Sequence, residues 1–156
     1  MSQPAGSQCD TYRSTMAGRA NWWRIVYYAL FAIWFSDAVL VMSHVKAGLF
    51  TSYAADLTLP AWLYVVSRKL HDPATRSLLS RTVGRSPELA ASALFIASTA
   101  TELQQLLWPS GFFAGRFDPI DILAYAVGIG ACYFFDSASL FGRSMRRPEQ
   151  TSGTKQ

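Results

Sequence analysis

Charge is scarce in this chain, with Asp, Glu, Lys and Arg making up 15% of its 156 residues. Cysteine is scarcer, at two residues: Cys9 lies near the start and Cys132 in the last apolar stretch. One in a polar tail and one in an apolar stretch are expected at different depths, so neither a disulfide nor a thiolate metal framework is expected. The two histidines, His44 and His71, stand alone between apolar stretches, and no metal or cofactor is expected from them. Also missing are a Walker-type glycine loop, paired Cys/His metal spacing and a G-x-S-x-G elbow. Those absences remove the conventional kinase and hydrolase classes. The net charge of +4 would suggest nucleic acid as a partner for a soluble protein. Here the basic residues sit beside apolar stretches, where topology explains them better, and nucleic acid is not an expected partner.

What is abundant is apolar and aromatic surface, in runs too continuous for a soluble domain, which alternates apolar and polar positions. Residues 1–20 and 142–156 are rich in Ser, Thr, Gln, Gly and Arg and read as disordered tails. The intervening 21–141 reads as one domain, an all-α membrane protein with a four-helix transmembrane bundle. Crossing about 30 Å of hydrocarbon takes roughly 20 residues of helix. Stretches of that length fall at about 22–42, 50–68, 87–107 and 119–141. The first opens on Trp22 and Trp23, which suit a membrane interface, and it reads as a retained anchor, not a cleaved signal. The second is interrupted by Asp56 and Pro60, and a re-entrant path is its alternative. Ser86-Pro87-Glu88 gives the third a cap, a first-turn proline and an acid; Asp118-Pro119-Ile120-Asp121 does the same for the fourth.

The basic residues orient the bundle. Arg13, Arg19, Arg24, the group Arg68, Lys69, Arg76, Arg81 and Arg85, and the group Arg143, Arg146, Arg147 and Lys155 fall on one side. Lys46 and Arg116 fall on the other. Positive residues mark the cytoplasmic face, so both termini are expected inside the cell. Small residues recur every fourth position at Ala93, Ala97 and Thr101, and again at Ala124, Gly128 and Cys132. Such stripes let helices approach closely in lipid, and they predict that the third and fourth spans form the packed centre.

Acids inside the spans carry the functional information, because each costs about 2.5–3.5 kcal/mol to insert. They are Asp37, Asp56, Glu102, Asp121 and Asp136. By helical rise, Asp37 and Glu102 lie roughly 8 Å below the outer helix ends, Asp56 roughly 9 Å and Asp121 roughly 3 Å. Four acids from four helices thus share the outer third of the membrane, a pocket for which Arg116 is the nearest counter-charge. Glu102 and Gln105 are three apart and face one partner helix, with Gln104 between them. Pro60 cannot donate to the carbonyl of Asp56, which leaves it for water in that pocket. Asp136 belongs at the inner end, neutralised by Arg143 or Arg68. Structural readings compete at several positions: Asp118 and Asp121 as helix cap and first-turn acids, Glu102 with Arg116 as a loop-fastening pair, and Asp37 as a protonated acid bonded to a neighbouring helix. Trp108, Phe112, Phe113 and Phe117 read as interfacial anchors.

The run from Thr101 to Gly130, TELQQLLWPSGFFAGRFDPIDILAYAVGIG, resembles the signature half of the VanZ-like family of small bacterial membrane proteins. That pattern sets an acid and a glutamine three apart, a loop arginine, an aspartate opening the next helix, a polar residue one turn on, and a glycine. Here it falls on Glu102, Gln105, Arg116, Asp121, Tyr125 and Gly128. Tyr125 stands where the family has asparagine, and the spacing from Arg116 to Asp121 is one residue short, which fits a distant branch or a sister family. The resemblance implies a bacterial inner-membrane setting and a motif acting at the outer face; a role in glycopeptide tolerance is an implication of the family alone. Recognition of a lipid headgroup or envelope precursor is the first functional expectation. An accessory subunit bound to a larger membrane complex is the second, and a proton-coupled carrier or membrane enzyme is the third.

Overall fold

The computed structural model describes residues 6–44, 48–74, 77–108 and 117–144, with side-chain environments at 6–17, 19–20, 49–52 and 141–144 outside that description. Regular structure among the described residues is entirely helical: α1 (Gly6–Met42), α2 (Leu49–Ser67), α3 (Leu78–Thr82), α4 (Pro87–Leu107) and α5 (Pro119–Ser144). Each long apolar stretch has become one helix. Ser86 caps α4 by accepting from the Leu89 amide at 3.1 Å, with Pro87 in the first turn where its missing N–H is harmless. Asp118 caps α5 in the same way, accepting from the Ile120 amide at 2.9 Å.

Two expectations are corrected at the ends. Residues 6–20 are helical, not an unstructured tail, because α1 runs back to Gly6. No proline follows Pro4 there, and extending an existing helix fixes one residue per hydrogen bond gained. At the other end α5 continues through 142–144; residues 1–5 and 145–156 lie outside the description. Pro60 does not interrupt α2, which is one continuous helix. It ends where Lys69 takes a left-handed conformation (φ 54°), with its N–H donating to Val66 and that of Leu70 to Val65. This is a Schellman-type closure that satisfies the last carbonyls. The expected loop after α2 contains the short α3, capped by the Ser77 hydroxyl accepting from the Ser80 amide.

The centre of the structure is α2, which packs against α1, α3, α4 and α5. Its Ala61, Tyr64 and Val65 form the middle of the core, with Ile129 and Cys132 of α5, Leu94 of α4 and Trp23 of α1 around them. This corrects the expectation that the third and fourth spans are the centre. The stripe on α4 is not a buried seam, since Ala97 is exposed. The stripe on α5 is buried at Gly128 and Cys132, but it faces α2: a β-carbon at Gly128 would collide with the Leu57 carbonyl oxygen. Glycine there lets two backbones approach to a distance no side chain permits.

Polarity is distributed inside out. Asp37, Glu102 and Asp136 are buried, while Tyr28, Ile96, Leu123 and Phe134 stand more than 60% exposed. Within α1 the segment Asn21–Met42, and within α5 the segment Pro119–Leu140, are long and apolar enough to cross a membrane. Helices α2 and α4, which carry Asp56 and the polar group Glu102, Gln104 and Gln105, do not reach that threshold.

Candidate functional site

The bundle has a polar cluster at each end. At the end where α2 finishes and α5 nears its close, Asp136 is 2% exposed and accepts from Arg68 Nε at 2.8 Å and from the Tyr64 hydroxyl at 3.0 Å. Arg68 Nη1 also donates to the Gly84 carbonyl at 2.9 Å, tying in the turn after α3. Of the two expected partners for Asp136, Arg68 fills the role. Every polar atom named here has a partner, so this cluster reads as structural cement.

The second cluster differs. It forms where α1 ends, α2 begins, α4 ends and α5 begins, and it is organised by Tyr125. The Tyr125 hydroxyl donates to Glu102 Oε1 at 2.8 Å and stands 3.2 Å from Asp56 Oδ1. One phenol on α5 therefore bridges carboxyl groups from α2 and α4. Gln105 Nε2 approaches the same Glu102 oxygen at a long 3.5 Å, one helical turn along α4. Asp56 lies within electrostatic reach of Asp37, Glu102 and Asp118, and Asp121 within reach of Asp56, Glu102 and Asp118. Asp118 uses one carboxyl oxygen for the α5 cap, and the other takes a long 3.4 Å contact from the Tyr53 hydroxyl.

Two carboxyl oxygens in this cluster have no hydrogen-bond partner although they are shut away from solvent: Glu102 Oε2 and Asp37 Oδ1. Both residues are 3% exposed. Buried acceptors without donors are rare and costly, at about 1–3 kcal/mol each and more when ionised. Asp37, Asp56, Glu102, Asp118 and Asp121 form no ion pair with a described basic side chain; the ion pair among the described residues is Arg68–Asp136. Nor do three of these groups come together in a way that could hold a metal ion, among the described residues. The arrangement is an enclosed set of acceptors short of donors.

Of the site residues read from the sequence, the structure gathers Asp37, Asp56, Glu102, Gln105, Asp118, Asp121 and Tyr125 at one end. Asp136 stands apart at the other. Gly128 and Pro60 lie inside the helices, with Gly128 at the α2–α5 crossing and Pro60 buried in α2. Arg116, Phe112 and Phe113 fall outside the described residues, while Trp108 is exposed. Sequence reasoning overlooked Tyr53 and Tyr64. Each carries a signal: Tyr53 precedes Asp56 by three and Tyr64 precedes Arg68 by four, the spacings that share a helix face.

Comparison with protein-family models, with curated proteins and with solved structures found no match to this chain.

Proposed function

We propose that the chain is a four-helix bundle of a bacterial inner membrane. In this reading both termini are in the cytoplasm, and the acidic cluster is a pocket beneath the outer face that binds the cationic part of an envelope lipid headgroup or precursor. The observation that carries the binding reading is the convergence of Asp56 and Glu102 on Tyr125, beside buried oxygens of Glu102 and Asp37 that lack donors. A ligand ammonium brings three N–H donors and a positive charge, which is what that set of acceptors lacks.

Three observations support the membrane setting. Apolar side chains of α1 and α5 point outward while acids are buried, the reverse of a water-soluble bundle. Lys and Arg concentrate on the side that holds both tails and the segment 68–85. The likeness of the stretch from Thr101 to Gly130 to the VanZ-like pattern fits a bacterial envelope and an outer-face motif.

Mass spectrometry of lipid retained by the detergent-purified protein tests the reading. Lipid with an amine-bearing headgroup is expected to be enriched over bulk membrane. Glu102→Gln and Asp56→Asn should lose that enrichment at unchanged abundance and melting behaviour. Identical lipid profiles in all three proteins, or collapse of both conservative variants, would count against a binding pocket.

A further inference from the structure

The hydrogen count at Tyr125 leads beyond the pocket itself. A phenol owns one hydrogen and can donate one strong bond. At 2.8 Å that bond goes to Glu102 Oε1. The 3.2 Å contact with Asp56 Oδ1 is then oxygen facing oxygen. With both carboxyl groups ionised, a phenol lone pair would face a carboxylate inside the protein, an arrangement that favours separation over contact. With a hydrogen on Asp56, the contact becomes a second hydrogen bond and the chain is complete: Asp56 donates to the Tyr125 oxygen, and Tyr125 donates to Glu102. A relay of this kind strengthens each of its bonds.

We propose that the Asp56–Tyr125–Glu102 bridge stores one exchangeable proton, and that a primary ammonium entering beside Asp37 displaces it, so that cation binding and proton release are linked one to one. The inference rests on the pocket reading above and names its ligand class and its coupling. The titratable groups around the bridge are Asp37 from α1 and Asp118 and Asp121 from α5, with Tyr53 from α2 in contact with Asp118. α3 packs on α2 alone and contributes none. The two oxygens left without donors, Asp37 Oδ1 and Glu102 Oε2, are the natural landing points for ammonium hydrogens.

The step balances. The Asp56 O–H bond breaks and its proton passes to water. The carboxylate left behind pairs with the arriving ammonium, and no electron is transferred. The charge of the site is the same before and after, because one proton leaves for each cation gained. That suits an enclosed place where uncompensated charge is costly.

The test uses the whole chain in nanodiscs of phosphatidylglycerol, which has no amine, and in nanodiscs containing phosphatidylethanolamine. Ethylammonium is titrated into the first. Binding is followed by calorimetry, released protons by an indicator dye, and the protonated carboxyl by its infrared carbonyl stretch. In the amine-free discs the wild type should show that stretch. Ethylammonium should remove it and release about one proton per chain. Asp56→Asn, whose side chain has no acid proton to store, should lack the stretch in amine-free discs and release no proton when ethylammonium is added. If phosphatidylethanolamine alone removes the stretch and ethylammonium does not, the cation is a headgroup amine; if both remove it, the amine itself suffices. Amine binding without proton release, or amine-free wild type without the stretch, overturns the linkage and leaves the pocket standing. Failure of both amines to bind overturns both.

Discussion

Arg68 at the C-terminal end of α2 and Asp136 on α5 meet at 2.8 Å although they are 68 residues apart, and the Asp136 side chain is all but sealed from solvent. Tyr64, one turn before Arg68, donates to the same carboxyl oxygen, so three side chains lock the end of the central helix to α5. Removing the guanidinium would take away one of the two described donors to the buried Asp136 Oδ2, leaving the Tyr64 phenol there. Breaking a buried pair from one side costs about 3–5 kcal/mol. Arg68→Ala is therefore expected to lower unfolding stability in detergent by that amount, well beyond the roughly 0–1 kcal/mol of an exposed pair. A denaturant titration giving a loss in the exposed range would remove this pair from the account of stability.

How much of this was legible beforehand differs between levels. Helix positions were, because Ser86-Pro87 and Asp118-Pro119 are local signals whose caps form between neighbours in the chain. The gathering of Asp37, Asp56, Glu102 and Asp121 was legible as well: acids in apolar helices must turn inward, and helical rise gives their level. The identity of the central helix was not. The small-residue stripes pointed to α4 and α5, whereas burial of Tyr64 and Val65 in α2 depends on which helices meet, a property no local pattern encodes. The bridge at Tyr125 was hidden for a similar reason. Its hydroxyl reaches Glu102 across 23 residues and Asp56 across 69. From the sequence it was merely a polar residue one turn after Asp121.

The proposed membrane orientation can be tested by thiol accessibility. In a Cys9→Ser, Cys132→Ala background, Ser43→Cys should react with a membrane-impermeant maleimide in intact cells. Ala74→Cys should react only after the cells are opened. Both positions are in described turns and neither is buried. Reaction at position 74 in intact cells would invert the proposed topology and move the acidic cluster to the cytoplasmic face.

Asp118 separates capping from ligand recognition. Its carboxyl accepts the Ile120 amide at 2.9 Å, and losing an N-cap acceptor costs typically about 1 kcal/mol. Asp118→Ala should therefore lower stability by about that much. Asp118→Asn keeps an acceptor and should leave stability nearly unchanged. If Asp118→Asn nonetheless reduces retained amine lipid as far as Glu102→Gln does, the residue belongs to the pocket and not merely to the cap. Equal destabilisation by both substitutions would instead show that charge at the helix start, and not the hydrogen bond, is what matters.

Two glycines on α5, two residues apart, offer a paired test of the α2–α5 crossing. A β-carbon at Gly128 would strike the Leu57 carbonyl oxygen, whereas one at Gly130 would meet nothing within 4 Å. The obstruction at Gly128 is backbone, so it cannot be relieved by turning a side chain. The helices would have to separate, and Tyr125, less than one turn away, would be drawn from Asp56. Overpacking of this kind costs typically about 1–3 kcal/mol. Gly128→Ala is expected to fall in that range and to lose retained amine lipid along with stability. Gly130→Ala should be neutral or slightly stabilising, since alanine is the better helix former by up to about 1 kcal/mol. The two substitutions are chemically identical and sit on one helix, so a difference between them isolates the crossing. Equal tolerance at both positions would mean that α2 and α5 do not approach as closely as the bridge at Tyr125 requires.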